Sequence, residues 1–192
     1  MKISFDVPDE YPWTVLACLT LCLETFVISV AVVVFSRINH FNGKFMKETF
    51  GSIFSESFPD IKDNRPTKLG FPDIGSGRHS EKLTYKSWVE FNNAVRTHLN
   101  LVEQIHFILI FFMVSGLILP KITMVLAWMS AIGRIVYVIG YIFKGANGRM
   151  LGAFFNIIPS YIITIIAVGV LVVAGVKNGF YFSNTVPAAA LV

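Results

Sequence analysis

The sequence predicts an all-α integral membrane protein built as a four-helix bundle. Hydrophobic residues make up 54% of its 192 residues and charged residues only 15%, well below the roughly 25% of a soluble domain. Mean hydropathy is +0.64. Four apolar stretches each approach or exceed the roughly 20 residues that a bilayer core requires. Residues 1–192 thus form a single transmembrane domain, with spans near 12–35, 88–119, 122–143 and 151–176 and a polar loop at 36–87.

The first span reads "PWTVLACLTLCLETFVISVAVVVF", from Pro12 to Phe35. Trp13 and Arg37 suit interfacial anchors. Cys18 and Cys22 lie four apart on one helix face and read as packing residues rather than a disulfide or redox pair. Glu24 sits mid-span, where it is either protonated or locked to Arg134 of the third span. The stretch before this span, "MKISFDVPDEYPW", is acidic. It matches neither the basic start of a secretory signal nor an Arg-rich, acid-poor transit peptide, so the first span is expected to be retained.

The connection from Ser36 to Ser87 is rich in Gly, Pro, Asp, Lys and Ser and reads as a loop with short helical turns. "GSGRHS", starting at Gly75, imitates a dinucleotide loop, but no strand precedes it and no clear helix follows, so it reads as a turn. The second span begins as a polar helix, "EFNNAVRTHLNLVEQIHF", and turns fully apolar between Phe107 and Leu119 without a turn residue between. Pro120 and Lys121 stop it. The turn to the third span is very short, so the two helices are antiparallel neighbours. "KGANGR", Lys144 to Arg149, reads as a tight turn before the fourth span, which carries Pro159 in its first turns.

Basic residues set the orientation. Eleven Lys and Arg lie between Arg37 and Lys86 or at Lys144 and Arg149, against three at Lys2, Lys121 and Lys177. The positive-inside rule places the long loop on the cytoplasmic side, or its equivalent. Acids in the same loop dilute this charge, and nothing points to nucleic acid.

Two sets of polar residues run into the membrane. Arg96, Asn100 and Glu103 recur at i, i+4, i+7 and share one helix face, with Asn93 joining them and His98 pointing elsewhere. They form either a structural Arg–Glu pair bridged by Asn or a site for a charged ligand. Arg offers a fork for carboxylates, Asn both donor and acceptor, and Glu an acceptor for an ammonium. That set suits a zwitterionic peptide. In the third span Arg134, Tyr137 and Tyr141 again share a face. The tyrosines are either interfacial belt residues or lie level with the first set. The single Glu103-x-x-His106 motif falls short of the two that a di-iron bundle uses, so no metal site is expected.

"FNNAVRTHLNLVEQ", "GRIVYVIGY" and "GRMLGAF" together resemble the signature of the membrane-associated proteins in eicosanoid and glutathione metabolism, over about Phe91 to Gly152. Within that family the sequence looks most like the type 3 microsomal glutathione transferase branch. The resemblance implies a homotrimer of four-helix subunits, in an endoplasmic reticulum or mitochondrial membrane, with glutathione as co-substrate and a lipophilic second substrate. It implies that Arg96, Asn100 and Glu103 grip glutathione and that Tyr137 and Tyr141 line the pocket, with His98 and Arg37 contributing. Arg149 would favour the reactive thiolate. Two departures stand out. Gln104 occupies a position where several relatives carry tyrosine, and Arg149 is one residue off the spacing of the leukotriene-C synthase branch. The alternative that the resemblance leaves open is a non-catalytic lipid-binding member, or a structural subunit of a larger membrane complex.

Overall fold

A computed structural model describes residues 7–61 and 73–178. The basic residues Lys62, Arg65 and Lys68 of the long connection, and Lys2 near the start, lie outside the described residues.

Helix α1 spans Tyr11–Ile28 and opens with Pro12, whose missing N–H costs nothing in a first turn. It runs through one wide π-helical segment, Ser29–Val34, into α2, Phe35–His40. Together these three form one apolar rod from Tyr11 to His40. Asn42 then caps α3, Gly43–Ser57, by accepting from the Phe45 N–H at 3.0 Å.

The sequence reading expected a loop from 36 to 87, and α3 differs from it. Met46 and Phe50, four apart, point the apolar face of α3 at Phe41, just past the end of the first rod, and at Phe91 and Val95 of the next span. A short amphipathic helix gains most of its stability from such packing, which composition does not reveal.

Helix α4, Tyr85–Ile118, is capped by Thr84, which accepts from Ser87 N–H. It is unbroken across the change from polar to apolar sequence. At roughly 1.5 Å per residue its 34 residues extend about 51 Å, against a hydrocarbon core of about 30 Å. Its first turns therefore stand outside the lipid core. Leu119 alone separates α4 from α5, Pro120–Gly148, which again starts on a proline. Helix α6 runs Met150–Asn178.

One apolar core joins all four spans: Ala17 and Leu21 of α1, Ile108 and Phe112 of α4, Ala127 and Ala131 of α5, and Ile163 of α6. Helices α5 and α6 pack most closely. At Gly152 a side chain would strike the backbone of Tyr137, so glycine sets how near the two helices come, as small residues do inside membranes. The outward faces are apolar: Phe26, Ile132 and Ile165 are each more than 60% exposed on the single chain. Among the described residues, four helices are long and apolar enough to cross a membrane.

Candidate functional site

The polar residues gather where α4, still polar, passes the end of α5. The Asn100 side-chain amide donates to the Tyr137 hydroxyl at 2.8 Å. Tyr137 and Tyr141, one turn apart on α5, hold their ring centroids 5.7 Å apart, and both are almost fully buried. They are not surface belt residues of this chain. Arg149 places its guanidinium carbon 5.4 Å from the centre of the Tyr141 ring and also interacts with the Tyr137 hydroxyl.

That last contact needs a bend. Eight residues of straight helix would set Tyr141 and Arg149 about 12 Å apart along the axis. Gly145, at φ 64° and ψ −154°, breaks the helix instead. This left-handed conformation is open to glycine and strained for other residues. The chain folds back there, and Arg149 returns over the ring. The turn expected at Lys144–Arg149 is thus a kink inside the last turns of α5, centred on one residue.

The other expected residues divide into two groups. Arg96 and Glu103 are exposed on the outer surface of the chain and share their helix face with Asn100. At about 100° per residue the three span an arc of roughly 60°, with Asn100 at the edge nearest α5. Only that edge reaches Tyr137. His98 lies on the opposite edge of α4. There its Nδ1 is buried without a hydrogen-bond partner, and Arg37 at the end of the first rod is its charged neighbour. The chain by itself therefore brings Asn100, Tyr137, Tyr141 and Arg149 together, with Arg37 and His98 on the other edge of α4.

Arg134 and Glu24 interact electrostatically, but among the described residues they form no close ion pair. Arg134 is fully buried and donates to the Leu21 carbonyl at 2.7 Å, the Thr25 hydroxyl at 2.8 Å and the Leu101 carbonyl at 3.1 Å. Glu24 keeps one buried carboxylate oxygen without a hydrogen-bond partner.

Two features escaped the sequence reading. A cleft of about 390 Å³ opens beside the site between the first rod, α4 and α5, with Asn39, His40, Glu90 and Asn93 in its wall. His40 Nε2 and Glu90 Oε2 are 3.8 Å apart there. No spacing signal links residues fifty positions apart, so only the fold reveals them. A second, apolar groove of about 570 Å³ runs along α5 and α6 past Met124, Trp128, Ile132 and Phe155, open toward the surface that faces lipid.

"GSGRHS" is an ordered turn. The Asp73 carboxylate accepts from the backbone N–H groups of Gly75, His79 and Ser80. The Gly75 carbonyl in turn accepts from the Trp88 indole at 2.8 Å and from the Asn92 amide at 3.2 Å. This pins the connection onto the first turns of α4, just before the candidate site.

The MAPEG family model, of the membrane-associated proteins in eicosanoid and glutathione metabolism, matches residues 14–169. The chain belongs to the MAPEG family. The matched stretch contains the second and third spans, most of the first and fourth, and every candidate residue from Arg37 to Arg149. MAPEG proteins include glutathione transferases, glutathione-dependent peroxidases and enzymes of eicosanoid synthesis. Membership and the four apolar helices together make this MAPEG chain a multi-pass integral membrane protein. No curated protein matches it.

Proposed function

We propose that this MAPEG protein binds glutathione at the Asn100–Tyr137–Tyr141–Arg149 cluster. There it would transfer the thiol to lipophilic electrophiles or reduce lipid hydroperoxides, as the type 3 microsomal branch does. The observation that carries this reading is the convergence of Arg149 with the Asn100–Tyr137 pair. It sets a permanent cation beside two hydroxyls and an amide at the end of the membrane span.

The donor set fits the ligand. Glutathione carries two carboxylates, an ammonium and a thiol. Arg96 supplies a carboxylate fork and Glu103 an acceptor for the ammonium, both exposed next to Asn100. Arg149 supplies the charge that favours the thiolate over the thiol, and only the thiolate attacks electrophiles well. In the transferase reaction the sulfur forms a bond to the electrophilic carbon, and a leaving group or a ring-opened oxygen takes up the displaced electron pair. The apolar groove along α5 and α6 supports access for the lipophilic partner from the bilayer.

A homotrimer completes the reading. Charged side chains exposed within a membrane are costly unless they face protein or a wet cavity. Arg96 and Glu103 would face a neighbouring subunit, whose His98 on the opposite edge of α4 has Arg37 of α2 beside it. The protein would then work in an endoplasmic reticulum or mitochondrial membrane.

One observation favours the second reading, a non-catalytic lipid-binding or structural subunit. Gln104 turns toward α6, among Phe107, Ser160 and Tyr161, and adds nothing to the Arg149 cluster.

Titration of glutathione into the purified protein, followed by thiolate absorbance, separates the two. The expected result is saturable binding with thiolate formation, with Arg149→Ala abolishing the thiolate and Arg96→Ala weakening binding. Absence of binding by the wild type would refute the glutathione reading. Binding without thiolate leaves a ligand site and removes the transferase.

A further inference from the structure

We infer that Arg134 is the positioning residue of the candidate site. Its guanidinium ties α1 and α4 to α5 and so sets the geometry of the Asn100–Tyr137 contact. In describing that contact as part of a glutathione site, the inference rests on the reading above.

The argument begins with adjacency. Arg134 and Tyr137 are three apart on α5 and share a face. Leu101 and Asn100 are neighbours on α4. Two rungs therefore cross from α5 to α4 one turn apart: Arg134 to the Leu101 carbonyl at 3.1 Å, and Tyr137 to the Asn100 amide at 2.8 Å. A slide of α4 along α5 that broke one would break the other.

A third connection fixes α1. The Thr25 hydroxyl donates to the Leu21 carbonyl at 2.8 Å, which leaves its oxygen free to accept. Arg134 Nη1 donates to both that oxygen and the Leu21 carbonyl, at 2.8 and 2.7 Å. The remaining nitrogen, Nε, is buried without a partner. All of the bonds thus run from the forked end of one planar group. They end on main-chain carbonyls and one hydroxyl of two different helices. Lysine, with a single ammonium on a flexible stem, cannot reproduce that fork. Arg134 is fully buried and touches none of Arg96, Tyr141 or Arg149 in the contacts described, so it acts on the site through α4 and α5.

The test uses full-length protein in detergent or nanodiscs and two readouts. The first needs no ligand: 3-fluorotyrosine is placed at position 137 and its fluorine resonance recorded. Arg134→Lys and the near-isosteric Thr25→Val should each move that resonance. Thr20→Val, whose hydroxyl bonds only within α1, should not. The second is glutathione affinity. Arg134→Lys should weaken it roughly tenfold or more, since small misplacements at a site are costly, and Asn100→Ala should weaken it too. Adding Arg134→Lys to Asn100→Ala should then cost little further.

An unchanged resonance in folded Arg134→Lys overturns the inference, and so does full additivity of the two substitutions on affinity. If Arg134→Lys fails to fold, Thr25→Val decides by the same criteria. If the wild type binds no glutathione, the function above fails while the fluorine readout still decides the role of Arg134.

Discussion

The Asn100 amide and the Tyr137 hydroxyl, 2.8 Å apart, join α4 to α5 at the level where α4 turns from polar to apolar. Hydrogen bonds between membrane helices contribute about 0.5–1 kcal/mol each. Asn100→Ala and Tyr137→Phe should each lower stability by about that amount, and the double variant by clearly less than the sum, because both remove one bond. Thermal unfolding in detergent measures all three, and strict additivity would show that the pair is not coupled.

Arg149 reaches the Tyr141 ring only because Gly145 bends the chain. Gly145→Ala puts a side chain on a left-handed backbone, at a cost of about 1 kcal/mol or more. It should lose glutathione-dependent thiolate absorbance nearly as fully as Arg149→Ala, although position 145 carries no functional group. Retained thiolate in Gly145→Ala would show that the bend is not what places Arg149.

Two glycines of α6 should behave oppositely. A methyl group at Gly152 would lie 2.7 Å from Tyr137 Cβ and closer still to its backbone, whereas one at Gly169 meets nothing within 4 Å. Gly152→Ala should destabilise by about 3 kcal/mol, since a backbone cannot yield as a side chain can. Gly169→Ala should be neutral or stabilising by up to about 1 kcal/mol through helix propensity. Melting temperatures of the two variants, compared with wild type, check the contrast.

The Asp73 turn gives a pH dependence of known sign. Burial pushes its carboxyl up, but hydrogen bonds from Ser80, Gly75 and His79 outweigh this and hold it below the ordinary aspartate value of 3.8. A carboxyl depressed by folding contributes stability at pH values above its unfolded pKa, near 3.9. That contribution is lost as pH falls through the lower folded value. With Trp13 and Trp128 replaced by Phe, Trp88 emission should stay constant from about pH 5 to 8 and shift only in stronger acid. Asp73→Asn should show the acid-like emission already at neutral pH. A wild-type transition near pH 6 would contradict this assignment.

The expected Arg96–Asn100–Glu103 face was legible because helical periodicity places such residues together, and they do share one side of α4. Which edge of that side meets α5 was not legible, since it depends on how α4 rotates to bury Leu101, Ile108 and Phe112. The same holds for Arg134. Its presence in an apolar span announced a buried partner, and Glu24 was the obvious choice of opposite charge. Glu24 does interact with it, but the hydrogen bonds of Arg134 go to two main-chain carbonyls and the Thr25 hydroxyl, which no sequence pattern marks. Residues 43–57 escaped because a short amphipathic helix with Met46 and Phe50 on its buried face looks like loop until its packing surface exists.

By itself the sequence determined four lipid-compatible spans, their charge asymmetry and the family, because each follows from hydropathy, counting or local motif. The tertiary structure alone decided which polar residues meet. That choice rests on helix rotation, on the bend at Gly145 and on how closely glycine lets α6 approach α5, all of which are settled by contacts between residues distant along the chain.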